Sequence, residues 1–318
     1  SKGIAKLGLS KDIPVSQFPA KLVLELRSLT RKYYDLTDER SAHINKLKGD
    51  LHTVFPQYLD VFCDVTGKTS TMILRQYGTP DKILRGHKKT MIEKISKASR
   101  KGLAKASERY EKLCAAANAA KTFGCQIDSI YFNIFLTLDL VEKLDSALDS
   151  ILNRIRQLIT FNKNEKFIQQ IKLLNTIPGV GFLTAVTIMC EIGDFSAFRN
   201  PKQLFAYFGL DPEVNESGKF VGTQLHMSKR GSRIARRAIF AVALASIRTK
   251  RNGEGINPYL RKYYELKSGQ KPKMVAIGAV MHKVCNIVFA VLRDEKAFEL
   301  RSPEEHCKQY QRPALAAA

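Results

Sequence analysis

A chain of 318 residues with 44% hydrophobic composition can bury one or two real cores, which excludes a disordered protein. Its 52 Lys and Arg against 30 Asp and Glu give a net charge of +22, which calls for a polyanionic partner, nucleic acid ahead of a membrane surface. No stretch approaches twenty apolar residues without a charge, and the opening SKGIAKLGLS has no signal-peptide core, so a cytoplasmic protein with no membrane partner is expected.

From Lys21 the apolar positions Leu22, Leu26, Leu29, Tyr33 and Leu36, then Ile44, Leu47, Leu51 and Val54, follow three-four spacing and predict one long amphipathic helix ending at Phe55-Pro56. Shorter helices are expected over Tyr58 to Cys63, Ser70 to Tyr77 and Lys88 to Ala120, punctuated by Gly67, Gly78-Thr79-Pro80 and Gly86. Asp60 with Asp64, and Asp145 with Asp149, have the i, i+4 spacing of a shared helix face. Neither pair has a third acid or a His beside it, so both read as solvated helix faces, and no metal site is expected. Cys63, Cys114, Cys125, Cys190, Cys285 and Cys307 are scattered without zinc spacing and read as reduced thiols.

Residues 127–165 predict a coiled-coil stalk, with Ile134, Leu138, Val141, Leu148, Leu152, Ile155 and Ile159 in near-heptad spacing. Such a seam suits a second subunit or the chain's own first helix, and periodicity does not distinguish them. Next, KLLNTIPGVGFLTAV fits a helix-hairpin-helix. Gly179 and Gly181 bend its turn, and the amides opening the second helix can cradle a phosphate.

The stretch NESGKFVGTQLHMSKRGSRIARR, Asn215 to Arg237, holds Ser217 just upstream of Lys219, Lys229, Arg230, Arg233, Arg236 and Arg237. Its glycines predict mostly loop until Ser232 caps a helix reading RIARRAIFAVALASI. Arginines in the first two turns oppose the helix dipole, a cost that points to an external anion. Further on, Lys271-Pro272-Lys273 precedes an almost wholly apolar helix suited to a core. Between Ser217 and Lys273 there are 14 Lys or Arg against Glu254 and Glu265, a one-sided density that favours phosphate binding over a merely solvated face.

The order IPGVG, FGL-P, ESGK, HMSKRGSRIARRAIF and GQKPKMVAIGAVMHKV resembles the C-terminal domain of the DEDD-type insertion-sequence transposases, relatives of the Piv DNA invertase. The resemblance covers Lys166 to about Phe298 and extends more weakly upstream. It implies a serine nucleophile, which by position is Ser217. It also implies a RuvC-like domain whose four acids hold Mg2+. On that alignment SKGIAKLGL follows the last of those acids, so this chain is expected to lack them and to bind no cofactor itself. The chain opens at Ser1 without a Met and ends in LAAA, and it reads as a piece of a longer protein.

The expected fold is mainly α: a helical linker region over 1–126, a coiled-coil stalk over 127–165, a compact transposase domain with a helix-hairpin-helix over 166–300, and a tail over 301–318. The expected function is site-specific DNA recombination through a covalent phosphoserine at Ser217. Lys219, Lys229, Arg230, Arg233, Arg236, Arg237, Lys271, Lys273 and the Gly179 and Gly181 turn would hold the nucleic acid. DNA is the expected partner, a structured guide RNA is a further one because some members of the family are so guided, and the coiled coil would make a homo-oligomer. The alternative is a non-catalytic nucleic-acid-binding protein.

Overall fold

The computed structural model describes residues 20–123, 127–213, 216–217, 220–221, 226–302 and 304–305. It is 74% helical, as the apolar periodicities require, with thirteen α-helices and one two-stranded ribbon among the described residues. The chain divides into two compact units, Lys32–Asn153 and the residues up to Arg31 together with those from Arg154 onward. Two 34-residue helices, α1 (Lys21–Val54) and α7 (Asp128–Phe161), each contribute to both units.

Within Lys32–Asn153 the core gathers Leu47, Leu51, Val54 and Phe55 from and beside α1, Tyr58 from α2 (Tyr58–Val61), Ile73 and Leu74 from α3 (Lys68–Gln76), and Ile83 from α4 (Pro80–Arg85). Met91 and Ile95 of α5 (Lys88–Ser99) and Leu113 of α6 (Leu103–Phe123) complete it. Tyr58 is fully buried, and its hydroxyl is satisfied by the Ser70 carbonyl at 3.0 Å and the Ser70 hydroxyl at 2.9 Å, as a buried phenol demands. The single helix expected over Lys88 to Ala120 is broken. Arg100 caps α5 in the left-handed region at φ 54°, and α6 restarts at Leu103.

The seam of α7 faces its own unit in this part of the chain. Ile134 and Leu138 share the core with Leu51 and Val54, and Tyr131 donates to the Val54 carbonyl at 3.4 Å. Arg40 forks onto both oxygens of Asp145, and Arg75 pairs with Asp139 at 2.7 Å and Glu142 at 2.8 Å. Asp145 is therefore engaged with Arg40. Asp64 accepts from the Thr66 amide and hydroxyl, and α2 ends at Val61, so Asp60 and Asp64 do not share a helix face. Among the described residues no three His, Cys, Asp or Glu side chains are grouped to hold a metal ion.

The other unit is built on α13 (Lys273–Asp294), whose Ala276, Val280, Val284, Cys285, Val288 and Leu292 are buried. Around it pack α8 (Lys166–Leu174), α10 (Pro201–Tyr207), α11 (Arg233–Ile247) and α12 (Pro258–Ser268), while α9 (Phe182–Ile192) packs on α8 and α11. By length and composition α13 could cross a membrane, but most of its apolar residues lie in the core here, Met274 and Val275 at its start excepted. Cys190 and Cys285 are buried free thiols, and burial pushes Cys190 up to about 12. Cys125 and Cys307 lie outside the described residues.

Candidate nucleic-acid interface

Proline at the first turn and a side-chain cap start α10: Asn200 accepts from the Gln203 amide at 3.0 Å, ahead of Pro201. The helix closes at Phe208, and Gly209 turns the chain at φ +66°. Here two backbones cross. A Cβ on Gly209 would stand 2.5 Å from the Gly231 amide nitrogen, and one on Gly231 would overlap the Tyr207 carbonyl oxygen outright. Only glycine fits both positions.

The crossing anchors a two-strand arm. The Lys229 amide donates to Gly209 at 3.0 Å and the Ser228 amide to Asp211 at 2.8 Å; the Ser228 hydroxyl donates to the Asp211 carboxylate at 2.6 Å. Pro212 pairs with Met227, and the Glu213 amide donates to His226 at 2.7 Å. Beyond these, β1 (Glu216–Ser217) runs antiparallel to β2 (Phe220–Val221), with Ser217 opposite Phe220. The stretch expected to be mostly loop thus contains a short ribbon, because Phe220 and Val221 are strand formers flanked by turn residues. Ser217 is placed by its backbone on β1; Lys219 lies outside the described residues.

From the crossing the chain enters α11 as expected, Ser232 accepting from the Ala235 amide at 3.1 Å. The same hydroxyl donates to Glu191, a buried carboxylate on α9 that also takes a forked pair from Arg31, both bonds at 2.9 Å. Burial pushes the Glu191 carboxyl upward, but the hydrogen bonds from Arg31 and Ser232 and the charges of Arg31 and Arg27 outweigh it. The net effect is a carboxyl held below its ordinary value. The Glu191 carbonyl accepts from the Tyr207 hydroxyl at 3.1 Å, and the Cys190 carbonyl from Arg27 Nε at 2.7 Å.

The expected binding residues fall into two groups. Arg236 Nη1 donates to the carbonyls of Gly231 at 2.7 Å, Lys229 at 3.1 Å and Phe208 at 3.2 Å, which commits it to the crossing. Lys229, itself left-handed at φ 54°, and Arg230 and Arg233 are exposed, and Arg237 is half-buried. Lys271 and Lys273 are exposed at the turn between α12 and α13.

Gly179, at φ +95°, lies against α11: its Cβ would stand 2.6 Å from the Ser246 hydroxyl oxygen, which donates to the Pro178 carbonyl at 3.0 Å. Gly181 precedes α9 with open space around it. The sequence reading missed Glu191 and Asp211. A lone carboxylate inside the apolar run FLTAVTIMCEI was the available signal, since such a charge is buried only with partners.

Residues 171–265, which include the turn, the arm and most of the basic segment, match the family model of the transposases of the IS116/IS110/IS902 family. An uncharacterized 43.6 kDa protein of insertion element IS110 from Streptomyces coelicolor is 23% identical over 89% of this chain and 66% of its own length. A pilin gene-inverting protein of Moraxella bovis is 30% identical over 55% of this chain and 52% of its own. The transposase for insertion sequence element IS1111A of Coxiella burnetii is 26% identical over 57% of this chain and 50% of its own. The chain thus spans between half and two-thirds of the length of these relatives.

Proposed function

We propose that this chain is part of a cytoplasmic DNA transposase or recombinase in which Ser217 is the nucleophile. The observation that carries the reading is the placement of β1 and β2: they extend from a crossing locked to the start of the arginine-bearing helix α11, within the residues that match the transposase family.

In this reading the Ser217 oxygen attacks a DNA phosphorus. A Ser–O–P ester forms as a P–O bond of the strand breaks, the serine proton is removed, and the departing strand hydroxyl takes up a proton. The phosphodiester energy stays in the phosphoserine, so a hydroxyl of another strand can displace the serine and rejoin the DNA without ATP. Exposed Lys229, Arg230, Lys271 and Lys273 would hold the phosphate backbone, and cations near the phosphorus would offset its developing charge. The α8–α9 turn around Gly179 and Gly181 would serve as a helix-hairpin-helix contact.

The resemblance also implies Mg2+, but the carboxylates described here do not fit it. Asp145 and Asp64 are engaged elsewhere and no three donors converge among the described residues, so the metal-binding acids would come from a RuvC-like domain of a longer protein. A second copy of the chain is proposed as a further partner. Phe132, Leu136 and Leu140 form an i, i+4, i+8 stripe on α7 that stays exposed while Ile134 and Leu138 are buried. DNA, with or without a structured guide RNA, is the proposed substrate.

The test of the chemistry is mass spectrometry of the adduct formed when the longer protein meets a target duplex. A phosphoserine at position 217 supports the reading. An adduct at another residue contradicts it.

A further inference from the structure

We propose that the turn between α5 and α6, in the Lys32–Asn153 unit, is a second contact surface for the phosphodiester backbone of the nucleic acid; this rests on the nucleic-acid reading above. The unit as a whole is nearly balanced, with 19 Lys and Arg against 15 Asp and Glu. Yet between Lys82 and Lys105 there are nine Lys or Arg against one acid, Glu93, so the remainder of the unit carries a net negative charge. The surplus is therefore local. It is concentrated where the helix pair turns.

The backbone explains the concentration. Arg100 takes the left-handed region and Gly102 follows at φ +81°, so the end of α5 and the start of α6 are brought beside each other. Lys97, Arg100, Lys101 and Lys105 are all exposed, and none has an ion pair among the described residues. Lys105 sits in the first turn of α6, where the helix dipole repels a cation. Glu108 is the acid nearby, and it is in direct ion pairing with Lys112.

A second feature gives the charge a place to act. Lys101, Lys105, Arg109 and Lys112 converge with Asp60 and Glu108 on a recess of about 170 Å3 between α2 and α6. Glu108 is already paired with Lys112 at 2.8 Å, and Arg109 lies over the Phe62 ring at 5.6 Å, which steadies its guanidinium. The recess is small and no aromatic ring lines it. It suits a phosphate group and offers nothing for a base to stack on, so the contact would be independent of sequence.

The experiment measures binding of the whole chain to a fluorescent duplex of about 20 base pairs, as DNA and as RNA, across a salt series. The triple variant Arg100→Gln, Lys101→Gln, Lys105→Gln should bind at least about tenfold more weakly, and its slope of log K against log salt should be smaller by about 2 to 3. Weaker binding to DNA alone, to RNA alone, or to both supports the surface and identifies which backbone it meets. A control removing the same charge elsewhere in the unit, Lys46→Gln, Lys48→Gln, Lys143→Gln, should keep the original slope. The surface is refuted if the triple variant matches the unaltered chain on both duplexes, or if the control is weakened as much. Absence of any binding by the unaltered chain at low salt would instead refute the nucleic-acid reading itself.

Discussion

Arg236 Nη1 donates to the Gly231 carbonyl at 2.7 Å, and through this bond and those to Lys229 and Phe208 an arginine of the basic helix holds the base of the Ser217 arm. A charged donor shared among three carbonyls is worth more than an ordinary hydrogen bond, and its removal unties the part-buried carbonyls of Phe208 and Gly231. Arg236→Ala should therefore cost about 1 to 3 kcal/mol of stability and lower the melting temperature. Thermal unfolding by circular dichroism checks it. An unchanged melting temperature would return Arg236 to the set of simple phosphate-binding cations.

Lys271 and Lys273 should behave in the opposite way. Both are exposed at a turn, so Lys271→Ala with Lys273→Ala should leave the melting temperature within about 0.5 kcal/mol equivalent of the original. DNA binding should weaken, and its salt slope should fall by about 1 for each phosphate that a lysine no longer neutralises. Anisotropy titrations at several ionic strengths measure the slope.

The glycines predict a graded series. Gly231→Ala drives a methyl into the Tyr207 carbonyl, so the domain should misfold or lose several kcal/mol, on the scale of severe packing and strain defects. Gly179→Ala combines a left-handed backbone with a clash against Ser246 and should cost about 1 to 3 kcal/mol. Gly181→Ala meets open space and should fold normally, so a drop in DNA affinity in that variant would reflect the α9 amides and not stability. Denaturant unfolding of the three variants tests the order.

Glu191 links folding to pH. Its folded carboxyl lies below its ordinary value, so the stabilisation it contributes is full above the unfolded carboxylate range and disappears as pH falls through the folded value. Because Arg31 is half exposed, the pair is worth less than a fully buried one. Glu191→Gln should cost about 1 to 3 kcal/mol near neutral pH, and the difference from the unaltered protein should shrink toward acid. Unfolding curves across the acid range give the difference directly.

The helical class, the Ser232 cap, the long first helix and the core helix α13 were legible because each follows from apolar spacing, capping chemistry and composition along the chain itself. The break at Arg100 was not, since it needs a non-glycine residue in the left-handed region, which local propensity disfavours. Nor was the role of Arg236 legible. Sequence shows a cation near other cations, and only the fold shows three carbonyls turned toward it. The seam of α7 illustrates the same limit: its period announces an apolar face, but Leu51, Val54 and the Arg40–Asp145 pair identify what part of that face covers. Ser217 could be placed on β1 but its role came from resemblance, because a Ser-Gly pair by itself is an ordinary turn signal.

The most direct test of the central claim supplies this chain with the proposed RuvC-like domain and any guide RNA, and traps covalent protein–DNA adducts on a denaturing gel. Ser217→Ala should abolish the adducts while leaving duplex affinity within about threefold, because a single hydroxyl adds little to an interface dominated by phosphate binding. Adducts at the unaltered level from Ser217→Ala would contradict the account and move the search to Ser228 and Ser232.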